Sequence, residues 1–246
     1  MNILVCICKT PDTTAKITFT DNNTKFDTTN VQWIMNPTDE WYALVRGIEL
    51  KKQLGGTVTV VNVGLKDNDQ IIRKALAIGA DNAVRIDADA SDAYFVASQI
   101  ADYAKSAGFD IVFTGKETID YNGFAVGGML AEMLDVPYIS MATQLEMEGT
   151  TATIDREIEG GTEKLKVNTP FVVSGQKGLA EQLIPNMRGI MMARRKPLKV
   201  VPAIEVETLS SITEYELPPQ RSAVKLVDAD NPAELVRLLH EEAKVI

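Results

Sequence analysis

Histidine and cysteine are nearly missing from this chain. There is one histidine, His240, and there are two cysteines, Cys6 and Cys8, in 246 residues. That scarcity removes most metal and nucleophile chemistry. The two cysteines lie two apart with no histidine or further cysteine nearby, so they cannot close a zinc site. They read better as small buried hydrophobes than as a reactive pair. His240 sits in a C-terminal helical pattern and is expected at the surface. No G-x-S-x-G or comparable motif is present, which leaves little for a hydrolase. No catalytic residue and no metal ligand is expected. Basic charge is also short: 25 Lys and Arg against 34 Asp and Glu leave a net −9. A bulk nucleic-acid or anionic-membrane binder carries the opposite sign. No apolar run approaches the ~18 residues of a membrane span. The start, residues 2–8, is apolar and lacks the basic region and cleavage site of a signal peptide, so export is not expected. A bacterial cytoplasm fits, or a mitochondrial matrix if a transit peptide has been removed.

What is present is an ordinary globular composition, 45% apolar and 24% charged, which rules out disorder. At about 150 residues per domain the length suits one large domain, or a domain plus an arm. The first half alternates strand and helix signals. Strands are expected at 2–8, 57–63, 83–86 and 110–114, with a hairpin within 17–34 around Asp21-Asn22-Asn23. Asn36 reads as a helix cap and Pro37 as the first helical position, with Asp39 and Glu40 at the positive end of the dipole. Trp41, Leu44, Val45 and Ile48 then make one apolar face, and Gly55-Gly56 stops the helix. Further helices are expected at 69–78, from a cap at Ser91 to about 107, and at 124–134. Strands joined by single helices imply a doubly wound, Rossmann-like parallel α/β sheet with both faces covered. Ligands on such sheets bind at the carboxyl ends of the strands. Loops 9–15, 63–68 and 115–128 fall there.

From about Gln144 apolar and polar residues alternate, with breaks at Gly149-Thr150 and Gly160-Gly161. This reads as an antiparallel meander over 144–174 that belongs to the first domain, 1–185. After Ser174 the chain reads as loop-like. Residues 186–246 read as a partner-recognition segment and extended C-terminal arm, with a last helix opening at Asn231-Pro232. Segment 115–128 offers backbone N–H groups and glycines to a phosphate, although it is neither a Walker loop nor G-x-G-x-x-G. A glycine-rich helix packed closely on the sheet would look the same. Residues 186–199 hold Arg188, Arg194, Arg195, Lys196 and Lys199 without an acid. That run suits an acidic partner or phosphate, or is simply a solvated face.

Residues 154–165, with the core Arg156-Glu157-Ile158-Glu159-Gly160-Gly161-Thr162-Glu163, run on to Pro170-Phe171-Val172-Val173-Ser174. They join Met35-Asn36-Pro37, Ala75-Leu76-Ala77-Ile78-Gly79-Ala80-Asp81, Gly115-Lys116 with Ile119-Asp120, and Pro218-Pro219-Gln220-Arg221. In this order and spacing, across nearly the whole chain, the pattern resembles the beta subunit of electron transfer flavoproteins.

The resemblance implies that the Rossmann-like fold is of the adenine-nucleotide-binding type, and a heterodimer in which an alpha subunit holds the redox-active FAD. This chain would be an electron-carrier subunit, not an enzyme, and would dock flavin dehydrogenases such as acyl-CoA dehydrogenases. In the common form the beta subunit buries one AMP without a redox role; in the electron-bifurcating form a second FAD replaces it. The AMP contacts implied are Cys6; Asn36, Pro37, Thr38 and Asp39; Val63; and Gly115, Lys116, Glu117, Thr118, Ile119, Asp120, Tyr121, Asn122, Gly123, Phe124, Ala125 and Val126. Phe124-Ala125-Val126 stands where Asn-Gln-Thr is usual, so a phosphate-binding hydroxyl is missing and backbone N–H groups must suffice. Val126 resembles the bifurcating type, whose Thr-Ala-x-Val pattern is incomplete here. AMP is expected, with FAD as the alternative. Thr13 stands where relatives carry a Tyr near the alpha-subunit flavin. Leu179 matches a Leu that anchors a recognition loop in the partner dehydrogenase, while a Leu packing back on its own loop is the plainer reading. Two other classes fit the sequence less well. An ATP-using activating enzyme needs a Ser-Gly-Gly loop or paired histidines, absent here. A nucleotide-binding stress-type protein leaves the meander and arm unexplained.

Overall fold

The computed structural model describes residues 1–90, 92–220 and 223–246. Ser91, expected to cap a helix, and Arg221 lie outside the described residues. Strand β1 (Asn2–Cys6) opens the chain, and β2 (Lys9–Pro11) returns against β5 (Trp33–Met35). Between them the expected hairpin forms from β3 (Phe19–Thr20) and β4 (Lys25–Phe26). Asp21, Asn22 and Asn23 take positive φ at its tip, where Asn and Asp are the side chains best tolerated. Then follow α1 (Asp39–Leu54), β6 (Thr57–Val63), a 3-10 turn (Lys66–Asn68), α2 (Asp69–Ile78), β7 (Asn82–Asp87), α3 (Ala93–Ala107) and β8 (Ile111–Gly115). The second half holds α4 (Val126–Leu134), β9 (Tyr138–Glu148), β10 (Thr151–Ile158), β11 (Gly161–Asn168), β12 (Phe171–Gly175), α5 (Met187–Ala193), β13 (Leu198–Pro202) and α6 (Pro232–Arg237), which runs into a π-helical turn (Leu238–Ala243).

Nine strands form one sheet in the order β11-β10-β9-β12-β8-β1-β6-β7-β13. From β9 to β13 every neighbouring pair is parallel; β10 and β11 are antiparallel. Both faces are covered, so β1 alternates between two cores. Ile3 and Val5 pack with α1 and α2, whereas Leu4 and Cys6 pack with α3 and α4. That is the doubly wound α/β arrangement expected. The meander is continuous with this sheet and starts earlier than Gln144, because β9 first runs parallel to β12. The bend falls at Met141, at positive φ, whose N–H donates to Ser174 Oγ at 2.9 Å. No helix among the described residues is long and apolar enough to cross a membrane.

Three local expectations change. Asn36 does not cap α1: the helix starts at Asp39, Thr38 occupies the cap position, and no side chain caps it. Helix α3 is capped by Asp92, which accepts from Phe95 N–H at 2.6 Å. Helix α4 begins at Val126 rather than 124, because Phe124 sits at φ 49, outside the helical region.

The loop-like reading after Ser174 also gives way in part. Helix α5 packs on α2, and β13 extends the sheet beside β7. The seam is a reciprocal clasp. Arg73 donates to Ala193 O at 2.8 Å and Lys196 O at 2.7 Å, and Lys196 Nζ donates to Leu76 O at 2.9 Å and Ala80 O at 2.6 Å. Lys196 thus serves packing, while Arg188, Arg194, Arg195 and Lys199 stay exposed.

Leu179 is the larger surprise. The polar loop around it suggests that it has no core to join, yet it is 5% exposed and belongs to the α1-side core. Gly175 makes the room, since a Cβ there would lie 2.7 Å from Leu179 Cδ2. Leu179→Ala is expected to destabilise the fold by about 2–5 kcal/mol through the cavity it leaves. Urea unfolding of the purified chain measures this.

Candidate functional site

Sheet order reverses at β1. The chain goes from β1 through α1 to β6 on one side, and later returns by α3 to β8 on the other. Helices leaving these strands diverge to opposite faces, so the switch-point crevice of such sheets falls at the carboxyl ends of β1 and β8. The loops bordering it are 7–38 after β1, 64–68 after β6 and 116–125 after β8.

Asn36 joins two of them. It is fully buried; its amide donates to Glu117 O at 2.9 Å and its carbonyl oxygen accepts from Ile119 N–H at 3.3 Å. These bonds are why it is unavailable as a helix cap. Gly115 lies flush against α1, where a Cβ would come within 2.8 Å of Glu40 Cγ and 3.3 Å of Asp39 Cβ. Asn36, Pro37, Thr38 and Asp39 are thereby set beside Gly115, Lys116, Glu117, Thr118 and Ile119. Cys6, Val63 and Val126 share the other core, on the α3 and α4 side. A small cavity of about 210 Å³ adjoins them, lined by Cys8, Lys9, Val63, Gly64, Leu65, Asp67 and Asn68 among others. Lys9 bridges to Asp67 there and lies 4.5 Å over the Trp33 ring.

Residues 120–125 stand further out. Thr118 and Asp120 hold a turn: Thr118 Oγ1 donates to Asp120 Oδ1 at 2.5 Å, and Tyr121 N–H donates to the same oxygen at 2.9 Å. Asn122 and Phe124 both take φ 49. Tyr121 and Phe124 are exposed, and nothing lies within 4 Å of where a Cβ on Gly123 would be. Ala125, in the cap position of α4, provides no capping side chain. The first N–H groups of α4 therefore receive no side-chain cap, and they carry the positive end of a helix dipole. Gly127 keeps this helix close to the sheet, because a Cβ would come 2.7 Å from Tyr138 OH and 2.9 Å from Thr114 Oγ1. Close packing and an open N-terminal turn, alternatives on sequence alone, coexist here. Thr114 Oγ1 is itself buried without a hydrogen-bond partner.

The carboxylates are tuned by burial. Glu40 accepts from Cys8 N–H at 2.7 Å, and desolvation pushes its pKa up to about 8, further raised by Asp120 and Asp39. Desolvation also raises Asp39, opposed by the Lys116 ammonium. Lys116 pairs with Glu117 at 3.0 Å. Burial first, and Glu40 second, push both thiols up, so Cys6 and Cys8 stay protonated. Near neutral pH the crevice is less negative than its sequence suggests.

Sequence reasoning treated Glu40 as a dipole partner only, and passed over Thr114 and Lys9. The signal for Glu40 was its place beside Trp41 on the buried face. Leu179, buried as described, is not at the surface. The exposed apolar groups of that region come later: Leu183, Ile184 (80% exposed), Met187 (74%), Ile190 and Met191 (68%).

Glu40 generates a pH dependence. Its folded pKa lies above the unfolded value near 4.5, so the folded state holds the extra proton between about 4.5 and 8. Stability should therefore fall as pH rises through that window, by an amount on the order of a few kcal/mol. Glu40→Gln should flatten the profile and become the more stable form toward pH 8, as read from denaturant midpoints at several pH values.

Residues 23–206 match the family model described as "Electron transfer flavoprotein domain". Similar curated proteins include the electron transfer flavoprotein subunit beta of Bacillus subtilis (strain 168), 38% identical over the whole of both chains. That of Syntrophomonas wolfei is 35% identical, over 93% of this chain and 90% of its own. That of Homo sapiens is 31% identical, over 100% of this chain and 99% of its own. With a family model across most of its length and full-length relatives above 30% identity, the chain belongs to the electron transfer flavoprotein beta-subunit family.

Proposed function

We propose that this chain is the AMP-holding beta subunit of a heterodimeric electron carrier, whose alpha subunit holds FAD. The observation that carries the reading is the crevice between β1 and β8: an uncapped α4 N-terminus beside an unpartnered Thr114 hydroxyl, with Asn36 fixing the facing loop. These groups fit a nucleotide phosphate. Backbone N–H groups of Val126, Gly127 and Gly128 would receive it, and Thr114 supplies a hydroxyl where residues 124–126 have none. Cys6 and Val63 offer an apolar wall for adenine on the α3 and α4 side. Raised carboxyl pKa values at Asp39 and Glu40 lower the repulsion an anion would meet. FAD supplies the redox chemistry when bound, accepting electrons from a reduced dehydrogenase and passing them on; this chain takes no covalent part.

The same reading assigns two outward surfaces. Arm residues Leu217, Val224, Leu226, Leu235 and Val236 are exposed, and apolar groups in such number call for a partner surface; the alpha subunit is the one proposed. The 183–191 patch, ringed by Arg188, Arg194 and Arg195, would dock flavin dehydrogenases such as acyl-CoA dehydrogenases. It replaces Leu179 as the proposed anchor. The proposed setting is the bacterial cytoplasm.

Acid extraction of the purified heterodimer followed by mass analysis should find one AMP and one FAD per pair. Two FAD would assign the electron-bifurcating class instead, and no adenine nucleotide would overturn the reading. Ile184→Ala should weaken docking by roughly 1–3 kcal/mol. Stopped-flow transfer from a reduced dehydrogenase should slow accordingly, while nucleotide content and melting temperature hold.

A further inference from the structure

The segment leaving β13 does not hang free. Gln99 on α3 pairs with the backbone of Ile204 in both directions, donating to its O at 2.8 Å and accepting from its N–H at 2.9 Å. Further on, Asp92 Oδ2 accepts from Leu209 N–H at 2.6 Å and Ser210 N–H at 2.9 Å. Then Tyr215 N–H donates to Asn23 O at 2.7 Å, its ring stacks on Phe19 at 4.9 Å between centroids, and its hydroxyl meets that of Tyr121 at 3.2 Å. Within 207–220 Tyr215 alone is not exposed.

Topology gives these contacts a direction. The segment starts at the carboxyl end of β13, the edge strand next to β7. Asp92 belongs to the connection that follows β7. Asn23 and Phe19 belong to the hairpin that follows β1, and Tyr121 to the loop that follows β8. In sheet order the segment therefore runs from the edge, past β7 and β6, to the two strands that flank the crevice. It crosses the carboxyl ends, where ligand would enter.

We propose that residues 203–217 form a strap across the mouth of the nucleotide crevice, with Tyr215 as its latch on loop 118–124, so that a bound adenine nucleotide leaves only after the strap lifts. The inference rests on the nucleotide reading above and adds control of exchange to it. It also links the crevice to assembly. Leu217, two residues beyond the latch, is exposed, as Leu209 and Ile212 are before it. A partner that holds the arm holds the strap down, and by linkage a nucleotide that favours the closed loop favours the partner.

The test uses the heterodimer with its nucleotide as purified. Release of AMP is timed after dilution into excess labelled AMP, alongside hydrogen exchange of amides 118–124. Tyr215→Ala should speed release tenfold or more and raise exchange in 118–124. Tyr215→Phe and Tyr121→Phe, which keep the ring stack and lose only the hydroxyl contact, should each give a smaller increase and no more together than singly. Unchanged release in Tyr215→Ala, with the complex intact by melting temperature, overturns the strap. A wild-type complex that holds no adenine nucleotide refutes the nucleotide reading separately. The latch is then judged on exchange alone: faster exchange at 118–124 in Tyr215→Ala supports it, and unchanged exchange overturns it.

Discussion

Everything at the functional end of this molecule follows from a central strand buried on both faces. Because Ile3 and Val5 face one core while Leu4 and Cys6 face the other, β1 can only lie inside the sheet. The chain must leave it toward one face and return beside it on the opposite face. The loops after β1 and β8 thereby diverge toward opposite faces. Asn36 ties them together, from a fully buried position with both ends of its amide engaged. A side chain that has to satisfy two loops cannot also satisfy a helix terminus, so α1 begins uncapped at Asp39.

Burying two consecutive carboxyl groups at that helix start is costly unless their charge is reduced or paired. The structure does both. Glu40 is held largely neutral near pH 7 by desolvation and bonds the Cys8 amide. Asp39 is opposed by the Lys116 charge. Acidic residues that suggest repulsion of anions on a simple count are, in place, close to electrically quiet. Net charge describes the surface of this protein better than its crevice.

Long periodic elements were readable directly. The apolar spacing of Ile72, Ala75 and Leu76 placed α2 correctly, and the run 57–63 coincides with β6. What escaped had physical reasons. Helix α5 turns Met187 and Met191 outward and anchors through backbone carbonyls held by Arg73, so its pattern carries no core stripe. Strand β13 is five residues ending in Pro202, an edge position where proline is tolerated. Leu179 is buried only because Gly175, four residues earlier, has no side chain. The loops proposed for the site come from strand-end logic and family resemblance together, but Glu40 and Tyr215 depend on contacts between segments far apart in the chain, 32 residues for Glu40 with Cys8 and 94 for Tyr215 with Tyr121, which no local pattern holds.

The clasp between Arg73 and Lys196 has a further consequence for the face above it. Four hydrogen bonds tie the end of α5 to α2 and the turn after it, so the backbone carrying Met187 and Met191 is anchored at its C-terminal end on α2. The methionine side chains are the reverse: unbranched, polarizable and able to fill irregular hollows. Adaptability is thus confined to a few side-chain torsions while the mount stays fixed. Surfaces of that kind conform to several differently shaped partners without the ordering of a loop at each encounter. Under the docking proposed for this face, donors would need to share little more than an apolar recess.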